Sequence, residues 1–346
     1  MDSHAQWLDQ VREVPIEPHL RIVDPHHHLW KDNPHGAADF MPADYLRLCA
    51  GHNIVATVFA DCMQRYRTDG PEHLRYAGET AWVEAVASAF QRDNPSGPAL
   101  CRGITARADL TLGKGVGAVL DAHRDASPRR FRAIRHTTAW DPEPSLRYDF
   151  PMMTVPQEVM RDPRFGEGLA ALAARGIVFD AWLYAPQLPE LIKLAERHPA
   201  AVIVVNHVGG LLLAGPYARR RDEIVEPWRH AMRELARCPN VHVKLGGMQM
   251  RRTGLFFGDR PRPPDSDELA RDLGGYMRHA IDCFSPRRCM FESNLPIERE
   301  SCSATVLWNA FKKISSGYAP ADRADLFEGT ATRVYRLNDS GPGHPR

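Results

Sequence analysis

The sequence lacks the marks of several protein classes. Its 44 Lys+Arg and 43 Asp+Glu leave a formal net charge of +1 over 346 residues. Such a balance argues against nucleic acid as the main partner. No apolar run approaches the roughly 20 residues needed to span a bilayer. The N-terminus, MDSHAQWLDQVREVP, has no basic start and no apolar stretch, so it does not read as a secretory signal. The seven cysteines are scattered, with no CxxC pair. That pattern argues against a disulfide framework or a zinc–thiolate site, and for reduced thiols in the cytoplasm. No GxSxG elbow and no GxxxxGK(S/T) phosphate loop is present. Gly113-x-Gly115 fits a dinucleotide fingerprint only loosely and reads as a helix start. What the chain does have is 28 prolines, 16 histidines and a 43% hydrophobic content, the last being ordinary for a folded domain.

Eight short apolar runs, at 21–24, 54–60, 101–106, 131–136, 177–183, 201–206, 240–245 and 289–292, read as strands buried on both faces. Helical patterns lie between many of them. Trp82, Val83, Val86, Ala87 and Phe90 share one stripe, and Val225, Trp228, Met232 and Leu235 another. This alternation predicts an α/β fold, a single (β/α)8 TIM barrel with enlarged C-terminal-face loops. A doubly wound sheet competes, but nothing marks a topological switch. The expected layout is an N-terminal extension over 1–20, a barrel over 21–337 and a disordered tail over 338–346. Loops 31–44, 138–156 and 250–267 follow strands 1, 4 and 7, on the face where barrel sites are built.

The chemistry-bearing residues fall at predicted strand ends. In Asp24-Pro25-His26-His27-His28, strand alternation sends His26 and His28 to one side and His27 to the other. Two imidazoles so spaced can chelate one metal ion. Asn206-His207-Val208-Gly209-Gly210 ends strand 6, placing His207 at the mouth. Phe291-Glu292-Ser293-Asn294-Leu295-Pro296 ends strand 8 and puts Glu292 and Asn294 on one face. Glu292 with His26 and His28 makes a two-histidine, one-carboxylate set suited to iron or zinc. The plainer readings are loop histidines, a capping histidine at 207 and a Glu292–arginine pair. Asp61, His136, Gln187 and Lys244 complete the ring of candidates, with Asp180 a buried hydrogen-bonding group. The arginines at 219–221 and 251–262 read as solvated faces or as holders of an anionic group.

These motifs resemble the amidohydrolase superfamily, in its amidohydrolase-2 branch of lactonase-like and decarboxylase-like barrels. The likeness runs through Asp24-x-His26-x-His28, Asn206-His207-Val208-Gly209-Gly210 and Ser293-x-x-Pro296. One departure stands out. Hydrolases of this kind typically carry Ser-Asp-x-Pro on strand 8, with that Asp activating water, whereas position 294 here is Asn. A carboxamide takes no proton near neutral pH. The histidine that many relatives carry on strand 5 also has no match in Tyr184-Ala185-Pro186.

Glu-Ser-Asn-x-Pro, Arg135-His136 and the Tyr66–Glu72 segment look more like the TIM-barrel non-haem diiron monooxygenases. That resemblance implies two iron ions, with zinc as the alternative, and O2 with a CoA-linked substrate, a diterpenoid acyl-CoA of antibiotic biosynthesis among them. The implied metal ligands are His26, His28, His207, Glu292, His136, Asp61 and Asn294. Catalysis would fall to Glu292, His207 and Asn294, and substrate binding to Arg135, Gln187 and Tyr66. The expected protein is a cytoplasmic oxidoreductase with no nucleic-acid or membrane partner, and a homodimer is the assembly kept open. The alternative is a lactone or amide hydrolase that polarises the carbonyl with a metal, with Asp61 or Glu292 replacing Asn294 as base.

Overall fold

Every predicted strand forms, and neighbours in sequence are neighbours in space. In the computed structural model, which describes residues 3–32, 38–147 and 155–338, the strands are β1 (Arg21–His27), β2 (Asn53–Ala60), β3 (Ala99–Arg107), β4 (Phe131–Thr137), β5 (Val178–Trp182), β6 (Ile203–Val205), β7 (Val241–Leu245) and β8 (Cys289–Phe291). They pair in parallel, in the order β1 to β8. The seam between β8 and β1 is closed by residues just past the strands. His28 N donates to Leu295 O at 2.8 Å, and Asn294 N donates to His26 O at 2.9 Å. The prediction of a (β/α)8 barrel holds.

Boundaries differ at two strands that matter. β1 runs three residues beyond its expected end, through Pro25 to His27, with irregular register between Asp24 and His27. Pro25 has no N–H to give a ladder, which is why sequence reading stopped the strand before it. β8 is only three residues long, so Glu292 sits just past it.

Two apolar layers hold the barrel. Outside the sheet, strand residues such as Phe59, Ile104, Phe179 and Leu245 pack on helices, including Ala77–Asp93, Leu188–Arg197 and Ser266–Phe284. Inside, Val23, Val58, Ala133, Val178, Val204 and Met290 form the floor, plugged by Tyr335 and Leu337 from the last helical segment. The N-terminal extension is tied to helix Ala304–Ile314. Asn309 Nδ2 donates to Glu13 at 2.7 Å, and Lys312 Nζ donates to Ile16 O at 2.6 Å. Parts of the first two long loops and the tail beyond 338 lie outside the described residues. Among the described residues, no helix is long and apolar enough to cross a membrane.

Candidate metal centre at the barrel mouth

The strand ends bring His26, His207 and Glu292 together. All three are buried, and their ligand atoms lie within 4.8 Å of one another. Glu292 Oε1 is 2.7 Å from His207 Nδ1 and also accepts the His207 backbone N–H at 3.2 Å. Glu292 Oε2 is 3.0 Å from His26 Nδ1, an ion-pair contact without hydrogen-bond alignment. Burial pushes the His207 imidazole below its usual range. Burial does the same to His26, helped by the positive charges of Lys244 and Arg135. Both rings are therefore neutral, the state a metal needs.

Local backbone geometry makes this approach possible. His207 leaves β6 in the left-handed region, φ 53°, and Val208 and Gly209 follow it there. Such a turn re-aims a side chain at a cost in strain that surrounding structure must offset. Gly247 clears the space: a Cβ there would lie 1.8 Å from His207 Nδ1. At Gly246 a Cβ would lie 2.2 Å from Glu292 O. Sequence reading missed both glycines, although a Gly pair directly after a strand signals close approach.

Asp24 staples the seam below. Its carboxylate accepts the Ser293 N–H at 2.9 Å, the Ser293 hydroxyl at 2.5 Å and the Tyr45 hydroxyl at 2.8 Å. Burial nevertheless raises it to about 6. Lys244 runs up the barrel interior. It binds Asp180 at 2.6 Å and stands 3.3 Å from His26 Nδ1, while Tyr335 donates to the other Asp180 oxygen at 2.7 Å.

The remaining sequence candidates scatter. His28 flanks His26, ring centres 5.0 Å apart, but lies outside the compact trio; its Nδ1 is 2.8 Å from Ala60 O. His27 turns away as expected, onto Thr57 at 2.8 Å. His136 faces outward. Its Nδ1 accepts the Leu110 N–H at 3.0 Å and its ring packs on Phe165. Strand alternation explains this, because Arg135 takes the inward position. Asp61 is engaged by Tyr66 Oη at 2.5 Å and Arg107 at 3.6 Å, not by the trio. Burial pushes Asp61 up, but Arg107 and its hydrogen bonds hold it below the usual carboxylate range. Gln187 spends its amide on Trp140 O at 2.8 Å and the Tyr184 N–H at 3.0 Å, pinning loops. Asn294 Nδ2 donates to Glu298 Oε1 at 3.3 Å. Glu298 was not anticipated, since nothing in its surroundings in the sequence marks it as buried.

The residues fit a single cation. His26 Nε2 and Glu292 Oε2 are both buried without hydrogen-bond partners; coordination to an ion would stabilise the nitrogen, and a proton donor beside it the carboxylate oxygen. Two irons find no such support: among the described residues this trio is the one compact ligand group. The arginines at 251–262 also pair locally, Arg251 with Asp259 at 3.0 Å and Arg262 with Glu268 at 2.8 Å.

Similar proteins separate the two functional expectations. A Sinorhizobium fredii protein, y4mH, is 31% identical over 337 residues, spanning 92% of this chain and 99% of its own. An L-fucono-1,5-lactonase of Burkholderia multivorans is 27% identical over 319 residues, spanning 91% and 96%. A crystal structure of a Burkholderia multivorans amidohydrolase with bound zinc superposes with TM-score 0.66 at 25% identity, covering 91% and 99%. The lactonase relative overturns the monooxygenase expectation and the oxidoreductase label with it: the reaction named among these relatives is a hydrolysis. The short segments that suggested oxygen chemistry, at strand 8, Arg135-His136 and Tyr66–Glu72, weigh less than likeness along the whole barrel. With the amidohydrolase family model matching residues 23–337, from β1 to the floor of the barrel, the chain belongs to the amidohydrolase family.

Proposed function

We propose that this chain is a metal-dependent lactonase, which adds water to a cyclic ester and releases the open hydroxy acid. The observation that carries this reading is Glu292, a buried carboxylate with one oxygen pinned by His207 and the other bare beside His26. The lactonase and zinc-bound relatives support the chemistry. His26 and His207 would hold a zinc-type ion beside Glu292. When bound, it would polarise the ester carbonyl and acidify water.

The protein's own groups divide the remaining tasks. Glu292 takes the proton of the attacking water at Oε2, the role Asn294 cannot fill. His207 holds that carboxylate through Oε1, so the bare oxygen keeps one orientation. Asp61, the other base considered, is occupied by Tyr66 and Arg107. Lys244 and Asp180 support His26 from below. The seven cysteines are unpaired, which suits the cytoplasm we propose as its compartment.

The test is a panel of sugar and aliphatic lactones, read by acid release with zinc-loaded protein. Glu292→Gln keeps the shape but not the proton acceptor, and lowers kcat by about 10²–10⁴. A panel left unhydrolysed by the zinc-loaded wild type would sink the proposal.

A further inference from the structure

Cations carried on β3, β4 and β7 stand in the barrel or at its mouth. Lys244 is matched by Asp180 at 2.6 Å, and Arg107 by Asp61 at 3.6 Å. Arg135 differs. Its one hydrogen bond runs from Nη1 to the backbone O of Asp61, at 3.0 Å. Among the described residues, no carboxylate lies in ion-pair range of its guanidinium. The Asp61 carboxylate beneath is already taken by Tyr66 and Arg107. Behind it, burial raises Glu79 well above the usual range, so that carboxyl brings little negative charge. Arg135 stands at the end of β4 with its guanidinium on the end of β2, at the barrel mouth. Its charge also reaches the Asp61 carboxylate, but Arg107 shares that carboxylate, so one negative charge faces two guanidiniums.

A guanidinium offers five N–H donors in a fixed fork. Half-buried, with one backbone acceptor and a share of the Asp61 charge, it keeps N–H donors for a ligand that brings a counter-charge. The fork matches a carboxylate in bidentate fashion. We propose that Arg135 anchors a carboxylate on the substrate, so that lactones carrying a free carboxylate are hydrolysed in preference to neutral ones. This rests on the lactonase reading and narrows it. A neutral lactone brings only hydroxyls, and leaves the arginine with no more than its share of the Asp61 charge.

The experiment compares D-glucaro-1,4-lactone with D-glucono-1,4-lactone, which differ by a carboxylate in place of a hydroxymethyl. Zinc-loaded wild type favours the former in kcat/KM by about tenfold or more. Arg135→Met collapses that ratio, chiefly by raising KM for the anionic lactone, and Arg135→Lys keeps part of it. If the Met variant does not fold, Arg135→Gln, which keeps a polar neutral group there, is read instead. Equal wild-type rates on the two lactones, or a ratio untouched by the substitution, overturn the proposal. If neither lactone is opened, calorimetry with D-glucarate separates the two ideas. Uptake by wild type but not by Arg135→Met keeps the carboxylate site while the lactonase reading falls. No uptake by either removes the site.

Discussion

Asn294 turns its amide nitrogen onto the Glu298 carboxyl, 3.3 Å away. Glu298 is buried, and burial raises it to about 8, so near pH 7 it is mostly protonated. Position 294 is where hydrolases of this kind place a water-activating Asp. Here that position faces an acid.

The pairing predicts how a restored Asp behaves. In Asn294→Asp, two carboxyls meet in a buried place and one must keep a proton. The single variant therefore gains no lactonase activity and loses about 1–3 kcal/mol of stability. Adding Glu298→Gln frees the new carboxylate, and kcat/KM rises by about tenfold or more over the single variant. Equal activity in single and double variants would show that Glu298 does not restrain this position.

Zinc should stabilise the fold through His26. With free zinc at about 100 times Kd, the gain is about 2.7 kcal/mol. Thermal melting with and without chelator measures it. The gain disappears in His26→Ala, whereas His136→Asn retains it, because His136 faces away from the trio. Loss of the zinc response in His136→Asn alone would place the metal elsewhere.

Lys244 and Asp180 are both fully buried, 2.6 Å apart. Lys244→Met strands the Asp180 charge and costs about 3–5 kcal/mol in urea unfolding. Lys244→Met with Asp180→Asn costs less than the single change. A single variant as stable as wild type would mean that the pair contributes nothing.

Acid should destabilise the protein through buried neutral histidines. Burial lowers His123 to about 4, and its ring nitrogens bond Thr80 and Arg107 O at 2.8 Å each. The unfolded value is about 6.5, so below it the unfolded chain binds a proton that the native one refuses. Stability from this group is complete above pH 6.5 and falls as pH drops towards 4, by about 3 kcal/mol. Asp24, raised to about 6, and Glu298, raised to about 8, work in the opposite sense and are outnumbered, since His27, His136 and His242 also lie near 4. In His123→Gln, unfolding between pH 7 and 5 loses part of its pH dependence. An unchanged slope would assign acid lability elsewhere.

How far the sequence revealed the site depended on range. Strand ends carry local signals, so His26, His207 and Glu292 were readable from short motifs. Strand alternation separates Arg135 from His136, yet the sequence reading placed His136 among the metal ligands, and the structure turns it outward. What escaped was set by approach between distant segments. Gly246 and Gly247 matter because His207 and Glu292 come against them, and Glu298 because it folds under Asn294. Asp61 and Gln187 have suitable chemistry and a suitable strand-end position, but neighbours near in sequence and on adjacent strands and loops already claim their polar atoms. The oxygen chemistry was misjudged because three short segments, at strand 8, Arg135-His136 and Tyr66–Glu72, were weighed above the barrel as a whole.

The backbone bond from Asn294 to His26 is made across the last gap in the sheet. Chain residues separated by more than 260 positions must meet before either the cylinder or the trio exists. An intermediate with seven strands in place would hold His26 and His207 but not Glu292. Catalysis therefore counts finished molecules: during refolding, recovery of activity should keep time with β8 docking rather than with the earlier gain of helix.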